Sequence, residues 1–308
     1  MPECGIFQES AFLKVILGMG YHSKSPIHRS LAVLATMIRT FCLLLTMTLF
    51  IGACSTSPTG RHQLMLVSPS QAIQASAKAY PEKLKEYAAK GKLNDKPVML
   101  ARVKRITGRL IAQAIRMYPE SRNWEWEVVL IDDPDVVNAW CMAGGKMAIY
   151  SGLIEKLKPT DDELAQVMAH EISHALANHV AEQMSVSLAS QLGLAVLSAT
   201  ALHDNRYRSA ALTGAALAAT LAIELPYSRA AEAEADRVGI EIAARAGYNP
   251  HAAVSLWKKM GQVNKKSPPE LLNTHPSAGT RQHTLAELAP KMMKYYHPHE
   301  VHPVYPLN

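Results

Sequence analysis

Residues 160–177 read TDDELAQVMAHEISHALA and predict a helix that carries two histidines four positions apart. Thr160 is suited to cap the helix, with Glu163 closing a capping box. Apolar side chains recur at helical spacing after this cap and predict a side that faces the core. The helix is expected to extend over residues 160–184.

His170 and His174 stand one above the other on the same face of this helix, so both imidazoles can reach one metal ion. Glu171 follows the first histidine directly and can abut a water molecule held by that metal. The pattern H-E-x-x-H is typical of the first half of a zinc-hydrolase site. The alternative interpretation is a surface helix with two unrelated histidines.

Zinc needs a further protein ligand, and residues 228–236, SRAAEAEAD, offer one. Glu232 and Asp236 lie four apart on one helix face, an arrangement in which the glutamate binds zinc and the aspartate holds a ligand histidine from behind. Glu234 is expected to point to another face and to be solvated. His179 is interpreted as a polar residue near a helix C-terminus. Taken alone, the segment is equally compatible with an ordinary helix rich in alanine and glutamate.

These strings together resemble the zinc metallopeptidase family of the CaaX prenyl protease and HtpX, in particular its bacterial lipoprotein branch. Residues 138–146, NAWCMAGGK, are similar to a family segment that runs into an edge strand beside the cleft. Residues 274–277, THPS, followed by Arg281, are similar to a loop of the same family. The resemblance implies one Zn²⁺ per chain, bound by His170, His174 and Glu232.

The N-terminal region reads as an export signal. A basic residue, Arg39, precedes a short apolar run that ends in IGAC at 51–54, which looks like a lipobox with lipid attached at Cys54. Ser55 follows the cysteine, which by the bacterial sorting rule implies an outer-membrane lipoprotein facing the periplasm. The alternative is a simple membrane anchor with an incidental cysteine. Residues 1–36 are interpreted as a mis-assigned translation start.

The composition suits one domain with a substantial core, since 48% of the 308 residues are hydrophobic. The net charge of +6 is modest and spread along the chain, so nucleic-acid binding has little support. The expected divisions are a signal region (1–53, with the signal peptide at 37–53), a lipidated tether (54–62), the metallopeptidase domain (63–295) and a flexible tail (296–308).

The fold is expected to be α+β, a mainly helical zincin-like (gluzincin) domain with a small sheet whose edge strand lies beside the active-site helix. Two alanine- and leucine-rich stretches, 186–202 and 210–225, are interpreted as a lid over the cleft; the alternative, based on membrane-embedded relatives, is a region that crosses the bilayer. The predicted strands are 64–67, 124–132 and 145–150; the predicted helices are 70–89, 95–117, 160–184, one opening at Asn249, and 278–295.

The implied chemistry is peptide-bond hydrolysis by metal-activated water, with Glu171 as the proton acceptor. Asp236 orients a ligand histidine. The candidate donors to the developing oxyanion are His275, Tyr227 and Arg229, in that order. His275 has a second possible role, because a loop histidine can occupy the open metal position and hold the enzyme inactive.

The expected substrates are unfolded or misassembled envelope proteins. An extended peptide is expected to add to an unpaired edge of the strand that ends near Tyr150. The lipidated Cys54 makes outer-membrane lipid a further partner. The second hypothesis is a chaperone-like binding module for outer-membrane protein assembly in which proteolysis is latent.

Overall fold

The computed structural model describes residues 54–201, 226–262, 271, 275 and 278–307, together with Met37 and Thr40. The chain divides into two units, Met1–Ala53 and Cys54–Asn308, and the elements below belong to the second. The predicted signal region, apart from Met37 and Thr40, lies outside the described residues, as does the predicted second lid helix at 210–225.

The second unit is mainly helical, with two small sheets, which confirms the α+β prediction. The strands are β1 (Cys54–Thr56), β2 (His62–Leu64), β3 (Glu127–Ile131), β4 (Ala139–Met142) and β5 (Lys146–Tyr150). The α-helices are α1 (Pro69–Ala89), α2 (Pro97–Met117), α3 (Ser151–Leu157), α4 (Asp161–Leu176), α5 (His179–Ala201), α6 (Arg229–Arg245), α7 (Ala252–Met260) and α8 (Ala278–Met292). Short 3₁₀ helices cover Pro119–Asn123 and Met293–Tyr295.

The capping box predicted for α4 is confirmed. The Glu163 amide donates to the Thr160 hydroxyl (3.2 Å), and the Thr160 amide donates to the Glu163 carboxylate (2.9 Å). These bonds satisfy amide groups that a helix start leaves without partners. The N-cap residue of α2 is Lys96, whose side chain makes no capping hydrogen bond.

The helix predicted over 160–184 is in fact two helices. α4 ends at Leu176, and Asn178 has a left-handed backbone (φ 58°) before α5 begins at His179. Asparagine adopts this conformation more readily than most residues because its short polar side chain can hydrogen-bond to the local backbone. The break changes the chain direction immediately after the second motif histidine.

The three-stranded sheet has the order β3-β5-β4. β5 pairs in parallel with β3 (Glu127 opposite Lys146) and antiparallel with β4 (Ala139 opposite Ile149). The prediction of an unpaired edge on the strand ending at Tyr150 was therefore wrong, because a tight turn through Gly144 and Gly145 folds β4 back onto it. In the described part of this sheet, β4 is the edge beside α4.

The sheet separates two layers of buried side chains. Alternate residues such as Val128, Cys141 and Ile149 pack with α2 and α4. Their neighbours, such as Trp140 and Ala148, pack with α1 on the other face. This period-two alternation buries both faces, so α4 is held on the sheet as the central helix of the larger layer.

Both ends of the unit contact the body of the fold. β1 and β2 pair as an N-terminal hairpin, residues 54–64, in the region predicted to be a tether. In the predicted tail, the Tyr305 amide donates to the Gly108 carbonyl of α2 at 2.9 Å. No helix among the described residues has the length and apolar character needed to cross a membrane.

Helices α4 and α6 cross closely at Gly239. A Cβ atom at this position would lie 3.0 Å from the His170 amide nitrogen and 3.1 Å from the Ala169 carbonyl carbon. The three nearest atoms all belong to the backbone of α4, which cannot move aside as a flexible side chain can. The missing side chain lets the two helices that carry the metal motifs approach each other.

Gly239→Val is therefore expected to lower the free energy of unfolding by about 1–3 kcal/mol, as overpacking typically does. Urea denaturation of the metal-free protein measures this. The matched control is Gly261→Val at the end of α7, where a Cβ would meet its nearest atom at 3.6 Å. Equal losses in the two variants would contradict close packing at the α4–α6 crossing.

Candidate metal centre

Four buried side chains converge between α4, α6 and the loop before α8. His170 and His174 come from α4, Glu232 from the first turn of α6, and His275 from the loop. One potential ligand atom of each lies within 4.8 Å of all the others. His174 and Glu232, which are 58 positions apart in the sequence, thus lie close together in space.

The spacing of these atoms fits a tetrahedral zinc ion. Ligands about 2.0–2.1 Å from such an ion lie roughly 3.3 Å from one another. His170 Nε2 lies 3.0 Å from His174 Nε2, and His174 Nε2 lies 3.3 Å from Glu232 Oε1. His275 Nδ1 lies 3.2 Å from His170 Nε2 and 2.9 Å from Glu232 Oε1. Nitrogen and oxygen donors in this arrangement suit Zn²⁺.

The protonation of His174 and Glu232 also suits a cation. Burial lowers the pKa of His174 well below its ordinary value, which favours the neutral imidazole that a metal requires. Burial alone would raise the pKa of Glu232, but the neighbouring imidazoles of His275, His170 and His174 hold it well below its usual range. The glutamate is therefore a carboxylate at neutral pH.

Asp236 and Arg281 lie behind His170. Asp236 Oδ1 is 3.1 Å from His170 Nδ1, the ring nitrogen that faces away from the other ligand atoms. Arg281 donates to both oxygens of Asp236 (2.8 and 2.5 Å). Its Nη1 also lies 2.6 Å from Glu232 Oε2. Arg281 thus links two carboxylates of α6, Glu232 and Asp236, a contact that its position in the loop motif did not reveal.

Glu171 lies beside the metal centre and is buried, with 2% of the residue exposed. Its Oε1 has no hydrogen-bond partner among the described residues and lies 3.6 Å from His275 Nε2. Burial raises the pKa of Glu171 to about 7, against the lowering effect of nearby His275. A carboxylate with such a pKa can both accept and release a proton near neutral pH.

The interpretation of His179 and the expectation that Glu234 is solvated were wrong. His179 is fully buried at the start of α5, and its Nδ1 lies 2.9 Å from His174 Nδ1. Glu234 is also buried and lies 3.1 Å from His179 Nε2. The only sequence signal was Asn178, whose tendency towards a left-handed backbone marks the end of α4 and redirects His179.

The other candidate oxyanion donors occupy different positions. The Tyr227 ring is buried and stacks on His174, with centroids 3.9 Å apart and planes inclined by 26°. Arg229 is exposed at the first residue of α6. Tyr227 therefore packs directly against a candidate ligand, whereas Arg229 faces solvent.

A pocket opens beside His170 and Glu171. Its other walls come mainly from α4, α6, α7 and α8, and many of the side chains are apolar: Val167, Ile240, Ala253, Leu256, Trp257, Met260 and Leu285. An apolar side chain next to a reacting bond would fit this environment.

Comparison with known proteins agrees with this geometry. The profile described as Peptidase family M48 matches residues 98–289, which include β3–β5, α4 and α6. The chain is 35% identical over 162 residues to Mitochondrial metalloendopeptidase OMA1 of Arabidopsis thaliana, covering 53% of this chain and 31% of that protein.

Two further relatives come from a mammal and a bacterium. The chain is 31% identical over 245 residues to Metalloendopeptidase OMA1, mitochondrial, of Bos taurus (77% of this chain, 46% of that protein). It is 34% identical over 156 residues to Beta-barrel assembly-enhancing protease of Escherichia coli strain K12 (48% and 31%). The chain spans less than half the length of each of these three relatives. With its profile match covering more than half of the sequence, this chain belongs to peptidase family M48.

Proposed function

We propose that the protein is a zinc-dependent endopeptidase that binds one Zn²⁺ through His170, His174 and Glu232. The observation that carries the proposal is the convergence of these three side chains at distances suited to one tetrahedral ion. Family membership supports it, since the related proteins named above are metalloendopeptidases or a protease.

The residues around the centre have distinct tasks in this proposal. A bound zinc ion supplies an acidified water and a Lewis acid for the peptide carbonyl. Glu171 accepts a proton from the attacking water and delivers it to the leaving amine. Asp236 accepts a hydrogen bond from His170 Nδ1 and so keeps Nε2 directed at the centre. Arg281 pairs with both Asp236 and Glu232 and so fixes the positions of these two carboxylates.

Metal removal tests the proposed activity. The purified chain is expected to contain about one equivalent of zinc per molecule and to cleave an unfolded protein such as casein. Dialysis against a chelator should abolish cleavage, and added Zn²⁺ should restore it, because peptide hydrolysis depends on the ion. Metal content and cleavage are measured on the same samples. Full cleavage by protein that contains no metal would contradict the proposal.

His275 is proposed to act as a displaceable ligand at the fourth corner of the centre. Its Nδ1 lies 2.9 Å from Glu232 Oε1 and 3.2 Å from His170 Nε2. These distances match the 3.0 Å between His170 and His174 and the 3.3 Å between His174 and Glu232. A catalytic zinc needs an open position, whereas a fully liganded zinc is closed. Of the two roles considered for His275, these distances favour occupation of the open position over donation to an oxyanion.

His275→Ala is therefore expected to raise the rate of peptide cleavage several-fold. Molecules in which His275 occupies the open metal position are inactive, and the substitution removes this inactive fraction. The variant should also bind zinc more weakly because it lacks one ligand. Steady-state cleavage assays at saturating zinc measure the first effect. His251→Ala, at an exposed position, is the matched control. A large loss of cleavage in His275→Ala would assign His275 the donor role instead.

The proposed substrates are unfolded protein segments. β4 is an edge of the described sheet and packs beside α4, so an extended peptide can add to it and pass the metal centre. Folded proteins lack such free extended segments. Substrate choice near the reacting bond is assigned to the apolar pocket beside Glu171.

The proposed location is the bacterial outer membrane, with the domain facing the periplasm and acting in envelope protein quality control. The lipobox at 51–54 supports this, and so does the similarity to a protease named for β-barrel assembly. Cys54→Ser is expected to move the protein from the membrane fraction to the soluble fraction. Membrane retention of this variant would exclude attachment through Cys54.

A further inference from the structure

His179 lies directly behind His174 in a second layer of buried polar groups. The two Nδ1 atoms are 2.9 Å apart, while His174 Nε2 faces Glu232 and His170. A neutral imidazole carries one proton. When Nε2 of His174 binds a metal, its proton must be on Nδ1. His174 then donates the hydrogen bond, and His179 accepts it at Nδ1.

The same rule fixes the tautomer of His179. Since its Nδ1 accepts, its proton is on Nε2, which lies 3.1 Å from Glu234 Oε2. The carboxylate can only accept this bond. The hydrogen bonds therefore run in one direction, from His174 through His179 to Glu234, and each buried group has a compatible partner.

Two residues of the N-terminal hairpin bind Glu234, the last group in this series of hydrogen bonds. Arg61 donates to Glu234 through Nε (2.7 Å), and Thr59 donates to the same carboxylate (2.5 Å). Arg61 also forms a forked pair with Glu182 of α5 (2.7 and 2.5 Å). One guanidinium thus joins α5, which carries His179, to α6, which carries Glu234. Such planar, two-sided binding is specific to arginine.

The second ligand histidine is held differently. His170 reaches a carboxylate, Asp236, directly at 3.1 Å. The Nδ1 side of His174 instead reaches a carboxylate, Glu234, through the intervening imidazole of His179. Without His179, the Nδ1–H of His174 would face a buried space without an acceptor, which is costly inside a protein.

We infer that His179 is a positioning residue for His174, fixed by Glu234 and by Arg61 of the N-terminal hairpin. The inference rests on the proposed function, because it assigns His174 as a zinc ligand. It extends the metal site to residues before the region matched by the family profile, 98–289. The hairpin thereby becomes part of the machinery that sets zinc affinity.

Zinc affinity measured by competition with a chelator tests the inference. His179→Leu removes the acceptor and is expected to raise the zinc dissociation constant by roughly 10–100-fold, as loss of an outer partner of a ligand typically does. His179→Asn places an amide oxygen near the position of Nδ1 and is expected to stay within about three-fold of the unmodified protein. His283→Leu, at an exposed histidine of α8, is the matched control.

Unchanged zinc affinity in His179→Leu would overturn the inference, as would equal losses in His179→Leu and His179→Asn. A chain that binds no zinc even without substitution would instead overturn the proposed function. Both outcomes are read from binding alone, independently of cleavage.

A spectroscopic measurement needs no substitution and so remains decisive if His179→Leu fails to fold. Long-range ¹⁵N–¹H spectra of the zinc-loaded protein should show a proton on Nδ1 of His174 and a proton on Nε2 of His179. A proton on Nδ1 of His179 would reverse the direction of the hydrogen bond and contradict the inferred role.

Discussion

Glu171→Gln is expected to reduce peptide cleavage by about 10²- to 10⁴-fold, the usual contribution of a positioned acid–base group, while the protein keeps its zinc. The amide has nearly the same shape as the carboxylate but cannot accept a proton. Glu171 is buried beside the centre, and Oε1 has no hydrogen-bond partner among the described residues. The substitution therefore removes chemistry and leaves the packing almost unchanged.

Cleavage rates and zinc content measured on the same preparation check this expectation. Glu86→Gln, on the exposed side of α1, is the matched control. Retention of most of the cleavage activity would exclude Glu171 as the general base. The variant also separates hydrolysis from a chaperone-like role, because rescue of a deletion phenotype by the inactive protein would point to binding alone.

Glu232→Gln is expected to weaken zinc binding by more than the roughly 10–100-fold that follows loss of an outer partner, because it removes the anionic ligand itself. The neutral amide also leaves Arg281 with one carboxylate partner instead of two. We expect the metal-free variant to be destabilised by less than the ~3–5 kcal/mol typical of a fully broken buried ion pair, since Asp236 remains.

Equilibrium zinc titration and urea denaturation measure these two effects separately. Glu241→Gln is the matched control, since Glu241 lies on the same helix and pairs with Arg245 near the surface. Zinc binding of unchanged strength in Glu232→Gln would contradict the assignment of Glu232 as a ligand.

The features that sequence predicted well depend on local rules. The capping box of Thr160 and Glu163 and the shared face of His170 and His174 follow from helix geometry within a few residues. The meeting of Glu232 with the histidines is a long-range contact. Either pattern alone is compatible with an ordinary helix, and the resemblance to a family supplied the pairing.

The features that sequence missed depend on chain direction and on distant contacts. On a continuous helix, His179 would lie roughly 140° around the axis from His174, given 3.6 residues per turn. The break at Asn178 removes that separation. Glu234 is buried because the N-terminal hairpin covers it. The hairpin lies some 170 residues earlier in the sequence, so the pattern of residues within α6 cannot predict this contact. The position of β5 in the centre of the sheet is likewise set by pairing, which short strands do not encode alone.

The hairpin at 54–64 has a practical consequence for anyone who trims the chain for crystallisation or screening. A version that begins at the first long helix, Pro69, would omit the arginine that bridges α5 and α6. Such a shortened protein would keep every residue of the H-E-x-x-H and E-x-x-x-D signatures. We nevertheless expect it to contain little zinc after purification. Low activity in that preparation would reflect the choice of starting residue and would say nothing about the enzyme itself.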